Sequence, residues 1–374
     1  MKLSVLKEAE KFESRVAATP ESTESLIKIG FEVFIEKDAG VKSGFLNTDY
    51  KLAGAKIVDR AECLKSSDII LTVQFPLLDD IKKINSKKIL IGILEPYKNK
   101  KHFNLLNESK ITSIGMELVP RISRSQSMDV LSSQANLAGY RSIIDAAGEF
   151  NKVFPMMMTA AGRINPAKIM VLGAGVAGLQ AIATAKRLGS VVCATDVRPA
   201  AKEQVESLGA KFIMVEDSET KEAETSKGYA KEMSEEYKKK QANLIEETIA
   251  KQDIVICTAL IPGKTAPILI TKEMVEKMKP GSVIIDLAVE AGGNCPLSKL
   301  NEKVIHNNVK ILGYPNVPSR VAKDASSLYA KNLFNFISLI INKESKKIEI
   351  DWEDEIIKSV VLTHDGNIQL EEFK

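Results

Sequence analysis

The chain has 374 residues, 44% of them hydrophobic, with 52 basic against 49 acidic residues and a net charge of +3. That length calls for two domains with substantial cores, and the near balance of charge excludes the clustered basic face that nucleic-acid binding needs. No apolar run approaches the ~18 residues that span a bilayer, and "MKLSVLKEAEKFESR" turns charged too soon for a signal peptide, so a soluble, cytoplasmic protein is expected.

From the N-terminus, short apolar or β-branched runs ("KLSVL", "FEVFIE", "DIILTV", "KKILIGIL") alternate with helical or loop segments such as "ESTESLIKIG". Strands alternating with helices predict a parallel sheet with crossovers. Next comes "RISRSQSMDVLSSQ" (121–134), dense in hydroxyl, amide and charged groups, just ahead of an amphipathic stretch from Met128 to Phe150. It is either a solvated loop with a well-capped helix start or a site that holds a polar, planar ligand. After Pro166 the strand rhythm restarts with "KIMVLG", "SVVCATD", "KFIMVE", "DIVICTA", "SVIIDL" and "KILGY", near-continuous apolar runs of the kind buried on both faces. The expected fold is therefore α/β, with two Rossmann-like doubly wound parallel-sheet domains joined by crossing helices at 128–150 and 321–342. The first domain takes residues 1–127 plus 320–374, and the second takes 128–319.

"KIMVLGAGVAGLQ" places Gly173, Gly175 and Gly178 in a G-x-G-x-x-G turn between a strand and a helix, with Ala174 and Val176 between them. The first glycine permits the tight turn, the second lets backbone approach a pyrophosphate, and the third packs helix on strand. The following strand ends at Asp196, about 23 residues on, where an acid accepts bonds from a ribose diol at a spacing of ~20. A carboxylate there repels a 2′-phosphate, which favours NAD. Val197 and Arg198 flank the adenosine, although an arginine so placed can also accept NADP. The stretch 217–252 is long for a crossover. Its polar first part, with Gly228 and Tyr229 near its middle, reads as a mobile loop ahead of an ordinary crossover helix.

Cys63, Cys193, Cys257 and Cys295 form no C-x-x-C pair and read as free thiols of a reducing compartment. His102, His306 and His364 all look structural, and no cluster has metal spacing. A good nucleotide site without an acid/base partner suits a reaction that exchanges no proton with a substrate. Hydride transfer between two nicotinamides is one.

Together "PRISRSQSMDVLSSQANLAGYRS", "VLGAGVAGLQAIATAKRLG", "TDVRP", "GYAKEM", "TALIPGKTAPILIT" and "IDLAVEAGGNCP" resemble the NAD(H)-binding domain of proton-translocating NAD(P) transhydrogenase alpha subunits, over essentially the whole chain. The resemblance implies a homodimer, peripheral on the cytoplasmic face of the inner membrane. It implies direct hydride transfer between NAD(H) on this chain and NADP(H) on a beta subunit, coupled to proton translocation by a membrane subunit. Ending at Lys374 without membrane helices, the chain resembles the split-subunit form. By the same resemblance Arg121, Gln126 and Asp129 match the nicotinamide-site arginine, glutamine and aspartate, with Ser127, Met128 and Ser132 beside them. Gly228 and Tyr229 match a loop that closes on nucleotide, and Gln241 and Leu260 match further nucleotide contacts. "ESRVAATP" also resembles alanine dehydrogenase, including its substrate arginine at Arg15. That family's catalytic lysine and histidine are Gln74 and Glu95 here, and glutamine can neither make the cationic contact nor relay a proton.

Overall fold

The computed structural model describes residues 1–215, 235–261, 263–342 and 344–373, apart from the side chains of residues 235, 237 and 238. It divides into two compact units, Met1–Gln134 with Pro318–Lys374, and Ala135–Val317. Gly228 and Tyr229 lie outside the described residues.

The first unit is built on β1 (Lys2–Val5), β2 (Glu32–Glu36), β3 (Lys56–Val58), β4 (Ile69–Leu71), β5 (Ile89–Gly92) and β6 (Thr112–Gly115). They run parallel in the order β3-β2-β1-β4-β5-β6, and Val361–His364 then Asn367–Ile368 extend the sheet antiparallel beyond β6. The order reverses between β1 and β4, the point in an open α/β sheet where ligand crevices form beyond the carboxyl ends of the strands. The loops after β1 and β4 meet there.

In the second unit the strands lie side by side as Lys211–Phe212, Val191–Thr195, Lys168–Leu172, Ile254–Cys257, Val283–Asp286, Val309–Leu312 and Lys303–His306. All are parallel except the last pair. The unbroken apolar runs follow from burial on both faces: Ile169 and Val171 enter one core, while Met170 and Leu172 enter the other.

The helix Val130–Glu149 starts in the first unit and continues into the second, whose boundary falls after Gln134, against the break expected at 127/128. The return falls close to the expected 320, but its helix does not cross. The chain re-enters the first unit at Pro318, within the 3-10 turn Val317–Val321, so the helix Ala322–Leu339 belongs wholly to that unit and packs in its core through Tyr329, Leu333, Phe336 and Ile337. No helix among the described residues is long and apolar enough to cross a membrane.

Candidate nucleotide site

The glycine turn of the second unit has the stereochemistry that its sequence calls for. Gly173 sits at φ +101°, which L side chains rarely adopt, and a Cβ there would lie 2.6 Å from the Thr258 hydroxyl. A Cβ on Gly178 would lie 1.9 Å from the Gly173 carbonyl oxygen, so helix and strand meet at backbone distance. At Gly175, by contrast, a Cβ would meet nothing within 4 Å. Gly175 caps the helix Val176–Arg187 without a side-chain hydrogen bond. Space is thus open beside Gly175 at the N-terminus of that helix, where first-turn N–H groups lack intrahelical partners and the dipole end is positive. This is the cradle that a pyrophosphate fits. Gly139 lets the helix Val130–Glu149 close on the same turn, since a Cβ there would lie 2.0 Å from the Ala177 carbonyl oxygen.

Asp196 stands beside this turn. Its carboxylate accepts the Ala174 N–H at 2.7 Å and the Arg198 N–H at 2.8 Å, and pairs with Arg198 Nε at 2.9 Å. Burial opposes its charge, but the Arg198 side chain and the two backbone donors outweigh it and hold the carboxyl below the usual range. A ribose diol would share this acceptor with Arg198. Val197 and Leu260 are exposed, 88% and 54%, and Val176 is 41% exposed, apolar surface at the rim of the turn. Gln241 braces the neighbouring strand ends, accepting the Val215 N–H at 2.8 Å and donating to Thr195 Oγ1 and to the Ile213 carbonyl, both at 3.3 Å.

In the first unit, residues 121–134 form an arch. Ser123–Met128 is a 3-10 helix, and Asp129 then starts the long helix, accepting the Ser132 N–H at 2.8 Å and the Ser132 hydroxyl at 2.5 Å. Asp129 and Ser132 are therefore held together by a helix cap. Arg121, Gln126 and Ser127 are exposed, whereas Met128 is buried in the core and has only its backbone to offer a ligand.

Arg15 lies in the first unit's own crevice, between the loops after β1 and β4, and its guanidinium is already occupied. Nε and Nη2 donate to the two oxygens of Glu13 at 2.9 and 2.7 Å, and Nη1 donates to Gln134 Oε1 at 2.8 Å. Gln74 Nε2 donates to the same Glu13 carboxylate at 3.0 Å. Arg15 is 4% exposed and Glu13 is 0% exposed. Burial works against the guanidinium charge, and Glu13 more than restores it, raising the pKa further. The group that would meet a substrate carboxylate is thus already neutralised from within the chain. Glu95, in the rival family's histidine position, adopts φ +44° and donates its N–H to Glu117 Oε1 at 2.5 Å. Burial pushes the Glu117 carboxyl up to about 7. No group of three or more potential metal ligands occurs among the described residues. His364 bonds Thr112 and His306 bonds Glu276, both far in sequence from the glycine turn.

Among the elements not anticipated from the sequence is a hairpin in the second unit. "MMTAAGRI" folds as an antiparallel hairpin, Met157–Thr159 against Gly162–Ile164, with Met156, Met157, Met158 and Ile164 all exposed. Its second strand, Gly162-Arg163-Ile164, and the Ala160-Ala161 turn carry no local strand or turn signal.

Two Rossmann-like units of this topology, the second with a complete dinucleotide turn, define the class. The model of the alanine dehydrogenase/PNT N-terminal domain matches residues 4–138, and that of the C-terminal domain matches 142–371. Within that class, an NAD(P) transhydrogenase subunit alpha of Rhodospirillum rubrum is 54% identical, the match covering 98% of this chain and 97% of the relative. The transhydrogenase structure from Sinorhizobium meliloti superposes with a TM-score of 0.90 at 49% identity, covering 98% of this chain and 100% of that one. An L-alanine dehydrogenase structure shares the fold, with a TM-score of 0.83 at 24% identity over 100% of this chain and 98% of that one. The chain belongs to the NAD(P) transhydrogenase alpha-subunit family.

Proposed function

We propose that this chain binds NAD(H) and presents it for direct hydride exchange with NADP(H) on a partner beta subunit. A membrane subunit couples the exchange to proton translocation, and this chain acts as a homodimer on the cytoplasmic face of the inner membrane. The observation that carries the reading is the turn Gly173–Gly178 with Asp196 bonded to Ala174, in a chain matched end to end by transhydrogenase alpha subunits. When bound, the nicotinamide supplies the hydride chemistry; the protein binds, orients and excludes. Open backbone N–H groups of the helix Val176–Arg187 hold the phosphates. Asp196 accepts from the adenosine ribose, and Val197, Arg198, Gln241 and Leu260 line that end. Asp129 accepts the carboxamide NH₂, Ser132 donates to its oxygen, Gln126 reaches toward the second nucleotide, and Arg121 fixes a ribose or phosphate. None of these roles needs a titrating acid or base. Gln74 and Glu95 speak against an oxidoreductase acting on amino acids, since neither replaces the lysine and histidine that such chemistry uses in the resembling family.

Nucleotide choice tests the reading. NADH should bind more tightly than NADPH by calorimetry, and Asp196→Ala should weaken NADH by ~1.5–3 kcal/mol, one charge-assisted hydrogen bond. An NADPH preference in the unaltered chain contradicts the assignment.

A further inference from the structure

The arch at Ser123–Met128 is six residues of 3-10 helix, where runs of three or four are usual. Its N-cap, Ile122, contributes no side-chain hydrogen bond, so the arch leans on what packs against it. Much of that support on its C-terminal side converges on a single atom. The Ser127 carbonyl oxygen accepts from Asn332 Nδ2 at 2.8 Å and from Asn335 Nδ2 at 2.9 Å, which fills both of its lone pairs. Both asparagines come from the helix Ala322–Leu339.

Asn332 is itself fixed. It is 7% exposed, and its Oδ1 accepts the Ser133 hydroxyl at 2.7 Å. Gln134 Nε2 reaches Ser133 Oγ at 3.3 Å and the Ala325 carbonyl at 3.1 Å, and Gln134 Oε1 accepts from Arg15 Nη1. A hydrogen-bonded relay thus runs from the buried Glu13–Arg15 pair through Gln134, Ser133 and Asn332 to the backbone next to Gln126. Near the start of the arch, Arg124 forks onto Asp354, Nη1 to Oδ2 at 2.6 Å and Nη2 to Oδ1 at 2.9 Å. Every member lies in the first unit.

We propose that Asn332 and Asn335 are positioning residues, which act through the Ser127 carbonyl to fix Gln126 and Asp129, and that Arg15 anchors this relay instead of binding a substrate. The proposal rests on the reading that Gln126 and Asp129 face the nicotinamide. Side chains that hold a reacting ring need support that locks the backbone carrying them, because small misplacements at near-attack distances are costly. With two donors on one oxygen, either alone retains the arch, so the effects of removing them are not additive.

The test is the double variant Asn332→Ala/Asn335→Ala in the full chain, beside each single. Amide hydrogen exchange over 123–129 should quicken by about tenfold or more in the double variant. Single-turnover hydride transfer, with an NADP-binding partner domain added, should slow by about tenfold, with NADH affinity held within about twofold and each single costing less than about threefold. A purely structural role predicts instead that rate falls only with the folded fraction. Should the double variant not fold, Asn335→Asp sets a carboxylate against the carbonyl on a half-buried position and must quicken exchange over 123–129 beyond the Asn335→Ala single. Unchanged exchange over 123–129 in a folded variant overturns the proposal, and so does NADH affinity that falls as far as the rate. If the unaltered chain transfers no hydride, the functional reading has failed, and the exchange comparison still decides the positioning.

Discussion

Arg15 shows how one neighbouring residue changes what a site can do. The motif "ESRVAATP" keeps the arginine at the crevice where doubly wound sheets bind ligands, yet Glu13, two residues before it, fills the guanidinium fork with both carboxylate oxygens. The pairing was written in the sequence but not legible there, because E-x-R does not say which way either side chain turns. Its cost is equally specific. Removing one partner of a buried ion pair leaves the other charge uncompensated, worth ~3–5 kcal/mol. Glu13→Ala should therefore lower the melting temperature steeply. Formate or acetate should restore part of the loss by occupying the vacated fork, whereas the unaltered chain should not respond. Thermal melts with and without formate check this, and a variant as stable as the parent means that the pair carries little of the fold.

Among the elements, the central strands of the second unit were legible because burial on both faces turns them into unbroken apolar runs, whereas its half-exposed edge strand Lys303–His306 was not. β6 was not, because it reads "TSIG". Ser113 is fully buried and polar, and it is satisfied by the Thr363 hydroxyl at 2.6 Å from a strand about 250 residues away in sequence. No local pattern announces a partner that distant. The glycine turn lies at the other extreme, since Gly173 and Gly178 each answer to a contact that a Cβ would violate. Gly178→Ala puts a methyl 1.9 Å from the Gly173 carbonyl oxygen, and backbone cannot yield as a flexible side chain does. We expect a loss of about 1–3 kcal/mol in stability, of the overpacking kind, with NADH binding lost more severely because the cradle itself must shift. Denaturant unfolding and calorimetry separate the two. NADH affinity unchanged in Gly178→Ala means that the turn is not the phosphate site. The place of Asp196 beside that turn was likewise readable from spacing. The hold of Asn332 and Asn335 on the arch was not, since it joins segments about 200 residues apart.

For the whole molecule, the exposed hairpin at 157–164 bears on the proposed homodimer. An isolated two-stranded hairpin is marginal in water, and this one presents Met156, Met157, Met158 and Ile164 to solvent. Exposed apolar groups so clustered mark an interaction surface, which the proposed homodimer would cover. Met158→Glu with Ile164→Glu should give a folded monomer by sedimentation, with NADH binding at the cradle retained; a variant that stays dimeric removes the hairpin from the interface. The central claim concerns what the assembled protein does with the nucleotide. It is tested most directly by supplying NADH deuterated at C4 to the chain together with an NADP-binding partner domain, and following the label. The account predicts that deuterium passes to NADPH without loss to water, and that the chain alone oxidises no NADH, with or without pyruvate and ammonia. Label washed into solvent, or turnover by the chain alone, would contradict it.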